Sequence, residues 1–371
     1  MKKITHKIVL CMALRYGIII TPNGKDVKTM SKNKLNIAVI GCHMGENHIK
    51  GIVEQENADL LAICDIDPAR LEKCKNEYKP QIVTDDYRTL VNNPDLDAVA
   101  VVTPDQCHLE QTVAFMRAGK DVLCDKPMAL TVEECEEMMR VEKETGRQLM
   151  IGQICRYTPA FMMAKKLVDE GRIGELVFVE SEYAHCYEPG ARGHNDWRVD
   201  PKRHGFIGGG CHAVDLLRWI AGDPTEVYAL ANHKILTNWP VDDTSIAIFK
   251  FPNNVMGKVF MSIGCRRNYT MRSVFYGTMG TIICDNTSPT LTLFEHKPEI
   301  GNYEFTKPQE LPVDINNHNA AGEMVDFATA LLEGKAMPVS SMEGAKTVAV
   351  CCAAVESAAA GKPIEIRYPK I

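Results

Sequence analysis

Between about Asn36 and Gln153, short apolar β-rich runs alternate with helical segments, and that alternation leaves few folds open. NIAVIG, ADLLAICD, DAVAVVTP and DVLCDKP read as strands. His48 to Glu56, Pro68 to Tyr78 and Leu109 to Ala118 read as helices between them. Strands apolar on both faces belong in a parallel sheet covered by helices on each side. Thr131 and Glu134 form a capping box for a further helix that ends near Gly146. After Gly171 the rhythm changes. LVFVESEYAH, EVYALANHKIL, TSIAIFKF, VMGKVFMSIG, RSVFYG, GTIICD and TLTLFEH follow one another without long helices, and FPNN has the composition of a hairpin turn. Helices are expected over Cys211–Ala221, Ala320–Glu333 and Glu343–Ala360. The expected class is α/β. A dinucleotide-binding Rossmann domain (35–153) precedes an α+β domain with a largely antiparallel sheet (154–371), whose C-terminal helices are free to pack back on the first.

Bulk properties narrow the partners. The chain has 371 residues, enough for two domains, and a formal charge of −6 with no long basic run, so no nucleic-acid partner is expected. Its 14 cysteines are scattered without a CxxC pair, which in a long chain reads as reduced thiols in a cytoplasm. Lys2, Lys3 and Lys7 precede the apolar run Ile8 to Leu14, but Arg15 interrupts it and no small-x-small cleavage site follows. Residues 1–34 are therefore read as a poorly ordered extension, with Met30 a candidate start, and no membrane span is expected.

The chemistry-bearing residues sit where the parallel strands end. Gly41-Cys42-His43-Met44-Gly45 follows the first strand and opens a helix, as a pyrophosphate-binding turn must. The usual middle glycine is missing and the loop is one residue short, so a plain βα turn explains it as well. Asp65, with Ile66 after it, ends the second strand 65 − 45 = 20 residues beyond Gly45, where an acid bonds the ribose hydroxyls of NAD. An acid there repels a 2′-phosphate and no arginine follows immediately, so NAD is expected over NADP; the alternative is that Asp65 caps the next helix. Thr103-Pro104 ends the third run, and His108 lies one turn on, either a packing residue or a ligand at the nicotinamide end. Asp125-Lys126-Pro127 places a lysine in the same crevice, able to stabilise an alkoxide. His212 opens an amphipathic helix after Gly208-Gly209-Gly210; a helix N-terminus favours the neutral imidazole that a base requires.

Four pieces, NIAVIG...G, CDIDP, VVTPDQCHLEQTVAFMRAGKDVLCDKP and GGGCHAVDLLRWIAGD, resemble the Gfo/Idh/MocA family of glucose–fructose oxidoreductase and inositol dehydrogenase-like enzymes. GRIGEL and ESAAAGKPIEI agree with it, and the similarity covers almost everything after residue 35. The resemblance places the family's E-K-P lysine on Lys126, with Asp125 in place of the commoner glutamate, and its histidine acid/base on His212, with Asp215 as a third catalytic member. The aspartate that many of these dehydrogenases carry four residues before the histidine is here Gly208. Arg156 and Tyr157 resemble the family's R-x-x-P segment at the domain junction and are expected, with His185, Trp197, Arg198 and His212, to touch substrate. Gly41, His43, Met44, Gly45, Asp65, Ile66, Thr103, Pro104, His108, Asp125 and Lys126 are expected at the cofactor.

The implied function is NAD-dependent oxidation of a secondary hydroxyl on a sugar, glycoside or cyclic polyol, by a homodimer or homotetramer. Redox-assisted glycoside cleavage with recycled NAD and a non-catalytic NAD-binding regulator are the alternatives. His185, Cys186, His194, His204, Cys211 and His212 are zinc-compatible types, but their spacing follows no compact metal pattern, and no metal is expected.

Overall fold

The computed structural model describes residues 33–188, 196–296 and 307–370. The expected N-terminal extension and His194 lie outside them, apart from the last two residues of the extension. β1 (Leu35–Ile40), β2 (Ala58–Cys64), β3 (Ile82–Thr84), β4 (Ala98–Val101), β5 (Asp121–Asp125) and β6 (Leu149–Gly152) form one parallel sheet in the order β3-β2-β1-β4-β5-β6. The order reverses beside β1, and ligands of such sheets bind at that point, outside the carboxyl ends of the strands. Two of the six strands escape the sequence reading: Ile82–Thr84 is too short to show a period, and Leu149–Gly152 runs straight on from a helix.

The helices of this layer are α1 (Glu46–Val53), α2 (Pro68–Tyr78), α3 (His108–Arg117) and α4 (Val132–Thr145). Asp67 caps α2 by accepting from the N–H groups of Ala69 and Arg70, with Pro68 at the first helical position. The capping box expected at Thr131 and Glu134 is present on α4, and Gly146 closes it in the left-handed conformation. α1 starts at Glu46, two residues before the expected His48, because Gly45 already has helical backbone angles.

α5 (Pro159–Asp169) and α6 (Cys211–Ala221) lead into a nine-stranded sheet. Its strands are β7 (Leu176–Ala184), β8 (Glu226–Asn232), β9 (Thr244–Lys250), β10 (Met256–Ser262), β11 (Arg272–Gly277), β12 (Gly280–Asp285), β13 (Thr290–Glu295), β14 (Gln309–Pro312) and β15 (Ile364–Glu365). The pairing is antiparallel except for β7 with β10. β9 and β10 are joined across FPNN, where Asn253 and Asn254 take positive φ.

The last two helices, α7 (Ala320–Glu333) and α8 (Ser341–Ala360), tie the halves together. α7 packs on α1 so closely that a Cβ on Gly51 would lie 2.6 Å from the Ala321 backbone. Met324 and Phe327 of α7 sit in the same core as Ile37 and Ile49. Truncating a buried Phe such as Phe327 to alanine costs about 3–5 kcal/mol in comparable cores. His48 and Glu323 meet across this contact at 3.3 Å, both buried. α8 shares one core with β5 through Ala345 and Val348, and another with α6 through Val350 and Cys351. The two sheets are therefore held by common helices, which fixes the cleft between them.

Candidate active site

The cleft, of about 310 Å³, runs along the carboxyl ends of the parallel strands. At its first end β1 gives way to Gly41, with φ of 93°, and a Cβ there would run into the Val102 carbonyl oxygen. Gly45 stands at the start of α1, directly against Gly41. Such a glycine-bordered turn, opening a helix, fits a pyrophosphate. Cys42 turns its side chain inward, with Sγ 3.7 Å from the Cys64 carbonyl oxygen, and is not part of the cleft wall, while His43 stands where the middle glycine would fall. His43, Met44, Asp65 and Ile66 all line the cleft. Asp65 is also tied to the turn itself. Its Oδ2 accepts from the Cys42 N–H at 2.7 Å and its Oδ1 from the Asp67 N–H at 2.9 Å, so it braces the turn. No arginine follows Asp65 immediately in the chain, but the fold supplies one nearby. The first turn of α2 brings Arg70 to 3.8 Å from Asp65, and Arg70 also lines the cleft.

At the other end Thr103, Pro104, Asp125 and Lys126 line the cleft. Lys126 follows β5 directly, and its backbone N–H donates to its neighbour's Asp125 Oδ1 at 2.7 Å. Burial works against its charge, but Asp125, Cys211, Asp105 and Tyr187 raise its pKa, so the ammonium stays protonated. No ion pair of its ammonium is found among the described residues.

His108 corrects the sequence reading. It is wholly buried and takes no part in lining the cleft. Its Nδ1 lies 2.8 Å from the Pro127 carbonyl oxygen and its Nε2 3.0 Å from that of Thr103. Carbonyls only accept, so both contacts are hydrogen bonds only when the ring is an imidazolium. Burial opposes that charge, but Cys124, Asp105 and Asp125 carry the pKa up to about 10. His108 thus holds the Thr103 and Lys126-Pro127 turns together instead of touching the cofactor.

The second domain supplies the opposite wall through Tyr187, Trp197, Arg198 and Arg203. The Arg198 guanidinium lies 4.1 Å from the Trp197 ring centre, and that of Arg203 4.8 Å. Arg203 Nε donates to Asp105 Oδ2 at 2.6 Å, and Gln106 Nε2 donates to the Trp197 carbonyl at 2.8 Å, so this segment is fastened to the Rossmann domain.

His212 lies one layer behind the wall, 3 % exposed. Burial, then the neighbouring Lys126, His318 and His185, hold its pKa well below the ordinary 6.5, so the ring is neutral. Its Nδ1 is 3.2 Å from Cys155 Sγ, and Tyr183 and His318 stack on it at 5.7 and 5.9 Å. His185 joins this aromatic cluster beside Tyr183, Tyr187 and Tyr269.

Three expected site residues belong elsewhere. Arg156 clamps Asp215 with two hydrogen bonds of 2.8 Å and reaches Glu343 at 3.0 Å. Thr347 and Arg218 complete the set around Asp215, which is fully buried. Neither Asp215 nor Arg156 lines the cleft; they form an ion-pair knot where α6 meets α8. Tyr157 packs in the core with Met324 and Phe327. A periodic pattern shows that such residues face inward, but not that their partners lie 59 or 187 residues away. Tyr187, Arg203, Cys155 and Asp105 were missed for the same reason. No cluster of three or more potential metal ligands occurs among the described residues.

Residues 35–153 match the Gfo/Idh/MocA oxidoreductase family with an NAD-binding Rossmann fold, and residues 161–283 match that family's C-terminal domain. A 1,5-anhydro-D-fructose reductase from Ensifer adhaerens is 30 % identical over 288 residues, covering 75 % of this chain and 82 % of the relative. The chain belongs to the Gfo/Idh/MocA family. It is an NAD-dependent oxidoreductase of that family. Inositol 2-dehydrogenase 2 from Saccharopolyspora erythraea is 28 % identical over 344 residues, 90 % of this chain and 96 % of its own length. A levoglucosan dehydrogenase solved with NADH and L-sorbose shares the fold, with a TM-score of 0.82, 23 % identity, and coverage of 91 % of this chain and 100 % of its own.

Proposed function

We propose that this protein transfers hydride between NAD and a secondary hydroxyl of a sugar, glycoside or cyclic polyol. The observation that carries the proposal is the charged Lys126 at the end of β5, inside the cleft and electrostatically coupled to the neutral ring of His212. NAD, when bound, supplies the hydride chemistry, and the chain supplies geometry and charge. Gly41, His43, Met44 and Gly45 would hold the pyrophosphate and Asp65 the ribose, with Ile66, Thr103, Pro104 and Asp125 lining the rest of its path. Lys126 stabilises the alkoxide-like oxygen by its charge. His212 takes or returns the hydroxyl proton. Its Nδ1 lies against Cys155, so Nε2 is the nitrogen proposed to exchange that proton. His185, Trp197 and Arg198 are the proposed substrate contacts.

Relatives with the printed activities of inositol 2-dehydrogenase and 1,5-anhydro-D-fructose reductase support this substrate range. The free state of every described cysteine supports a reducing, cytoplasmic setting. No helix among the described residues is long and apolar enough to cross a membrane. A homodimer or homotetramer is supported by the outer face of the nine-stranded sheet, where Leu230, Ile246, Ile248 and Met256 are 40–57 % exposed. The test is a panel of polyols, hexoses and glycosides with NAD, followed at 340 nm. Accumulation of NADH with a free sugar or polyol is expected. Aglycone release without net NADH would contradict it and favour redox-assisted cleavage.

A further inference from the structure

The second-domain wall of the cleft carries an unusual charge arrangement. Arg203 is 2 % exposed, yet it lines the cleft. Its guanidinium has room only because residue 208 is glycine: a Cβ there would run into the guanidinium carbon. Nε is committed to Asp105, while Nη1 is buried without a hydrogen-bond partner among the described residues. A charged donor left unpaired in a buried site is costly, and an incoming acceptor removes that cost.

The neighbours have the same sign. Arg198 stands on the other guanidinium contact of Trp197, and Lys126 faces them from β5. Two carboxylates line this end, Asp105 bonded to Arg203 and Asp125 beside Lys126, which against three cations leaves one positive charge in excess. The Tyr187 phenol reports the local field. Burial alone would raise its pKa, but Arg203, Arg198, the Tyr183 hydroxyl and Lys126 hold it below the ordinary value. Trp197 is the aromatic platform on which a neutral sugar would stack, and two guanidinium groups already lie on it.

We infer that the substrate is an acidic sugar or polyol, its carboxylate received by Arg198 and Arg203 while the reacting hydroxyl lies at Lys126. A planar carboxylate suits a guanidinium fork better than a point cation does. The carboxylate is unchanged by the reaction: the carbinol C–H leaves as hydride to NAD and the O–H proton goes to His212. This rests on the dehydrogenase reading above, but binding tests it separately from turnover.

The full chain saturated with NADH would be titrated calorimetrically with D-glucuronate, D-glucose and D-glucose 6-phosphate, and with D-galacturonate and D-galactose. Each uronate is expected to bind at least about tenfold more tightly than its neutral partner, the scale of one charge-assisted hydrogen bond. Arg203→Gln should bring that ratio towards one. Arg198→Gln, a less buried position, gives the same reading if the Arg203 variant fails to fold. Neutral sugars binding as well as uronates, a preference for the 6-phosphate, or no binding by any of the acids would overturn the inference. So would variants that weaken NADH binding and leave the acid-to-neutral ratio intact, since the cations would then serve the cofactor. NADH formation from a neutral hexose alone would uphold the dehydrogenase reading and sink this one. Tight uronate binding without NADH formation would do the reverse.

Discussion

The two walls of the cleft are built by different rules. On the Rossmann side each lining residue occupies a place that the topology provides: the turns after β1 and β3, the ends of β2, β4 and β5, and the first turns of the helices that follow β2 and β4. On the other side Tyr187, Trp197, Arg198 and Arg203 come from the segment after β7 and are held by contacts to distant residues, such as Arg203 to Asp105. The first wall is a consequence of chain order, and the second a consequence of pairing. Substitutions should therefore behave differently on the two sides and behind them.

The largest effect is expected at His212, behind the second wall. His212→Ala should lower kcat by about 10²–10⁴-fold while NADH affinity, measured by fluorescence titration, stays near that of the parent. A loss confined to KM would instead make His212 a binding residue. Because its pKa is held below 6.5, kcat/KM should stay flat above pH 6.5, falling only as the ring protonates at lower pH.

The buried knot should respond in stability instead. Asp215→Asn removes the buried charge that Arg156 clamps and leaves that guanidinium with Glu343 alone, at a cost of up to roughly 3–5 kcal/mol by denaturant unfolding. The folded fraction should keep its kcat/KM; a catalytic loss exceeding the loss of folded protein would return Asp215 to the chemistry.

His108 separates the two rules within one wall. Its pKa is raised from 6.5 to about 10, so the stability it contributes is complete below pH 6.5 and is lost as pH rises towards 10. In His108→Gln that decline should be absent, and nitrogen-15 NMR of the parent should show both ring nitrogens protonated at pH 7.5. A neutral tautomer at that pH would contradict the double carbonyl contact. The smallest effect is expected at Cys42→Ser, since this side chain points away from the cleft. NADH affinity should not change measurably.

The same division decides what was legible in the sequence. Periodicity exposes strand ends, so the sequence alone places Asp65, Thr103, Asp125 and Lys126 in a crevice. Capping chemistry is local, and the Thr131–Glu134 box was readable to the residue. Asp215 and Arg156 carry the right chemistry in the right segments, yet they bond each other and not a ligand. Nothing within ten residues of either shows that. His108 was legible as important and not as an imidazolium, because its two partners are backbone carbonyls, which have no sequence signature. Arg203 lies in a polar segment without periodicity, and its place is shown only by its bond to Asp105 and the space left by Gly208.

The central claim is that Lys126 acts on the reacting oxygen and not on the cofactor. It is tested most directly by comparing Lys126→Ala with the parent in a 340 nm assay, using whichever sugar or polyol the parent oxidises, alongside NADH titration. The account predicts a fall in kcat of about 10²–10³-fold with NADH affinity retained. Turnover at the parent rate, or a variant whose loss is accounted for by weaker NADH binding alone, would contradict it.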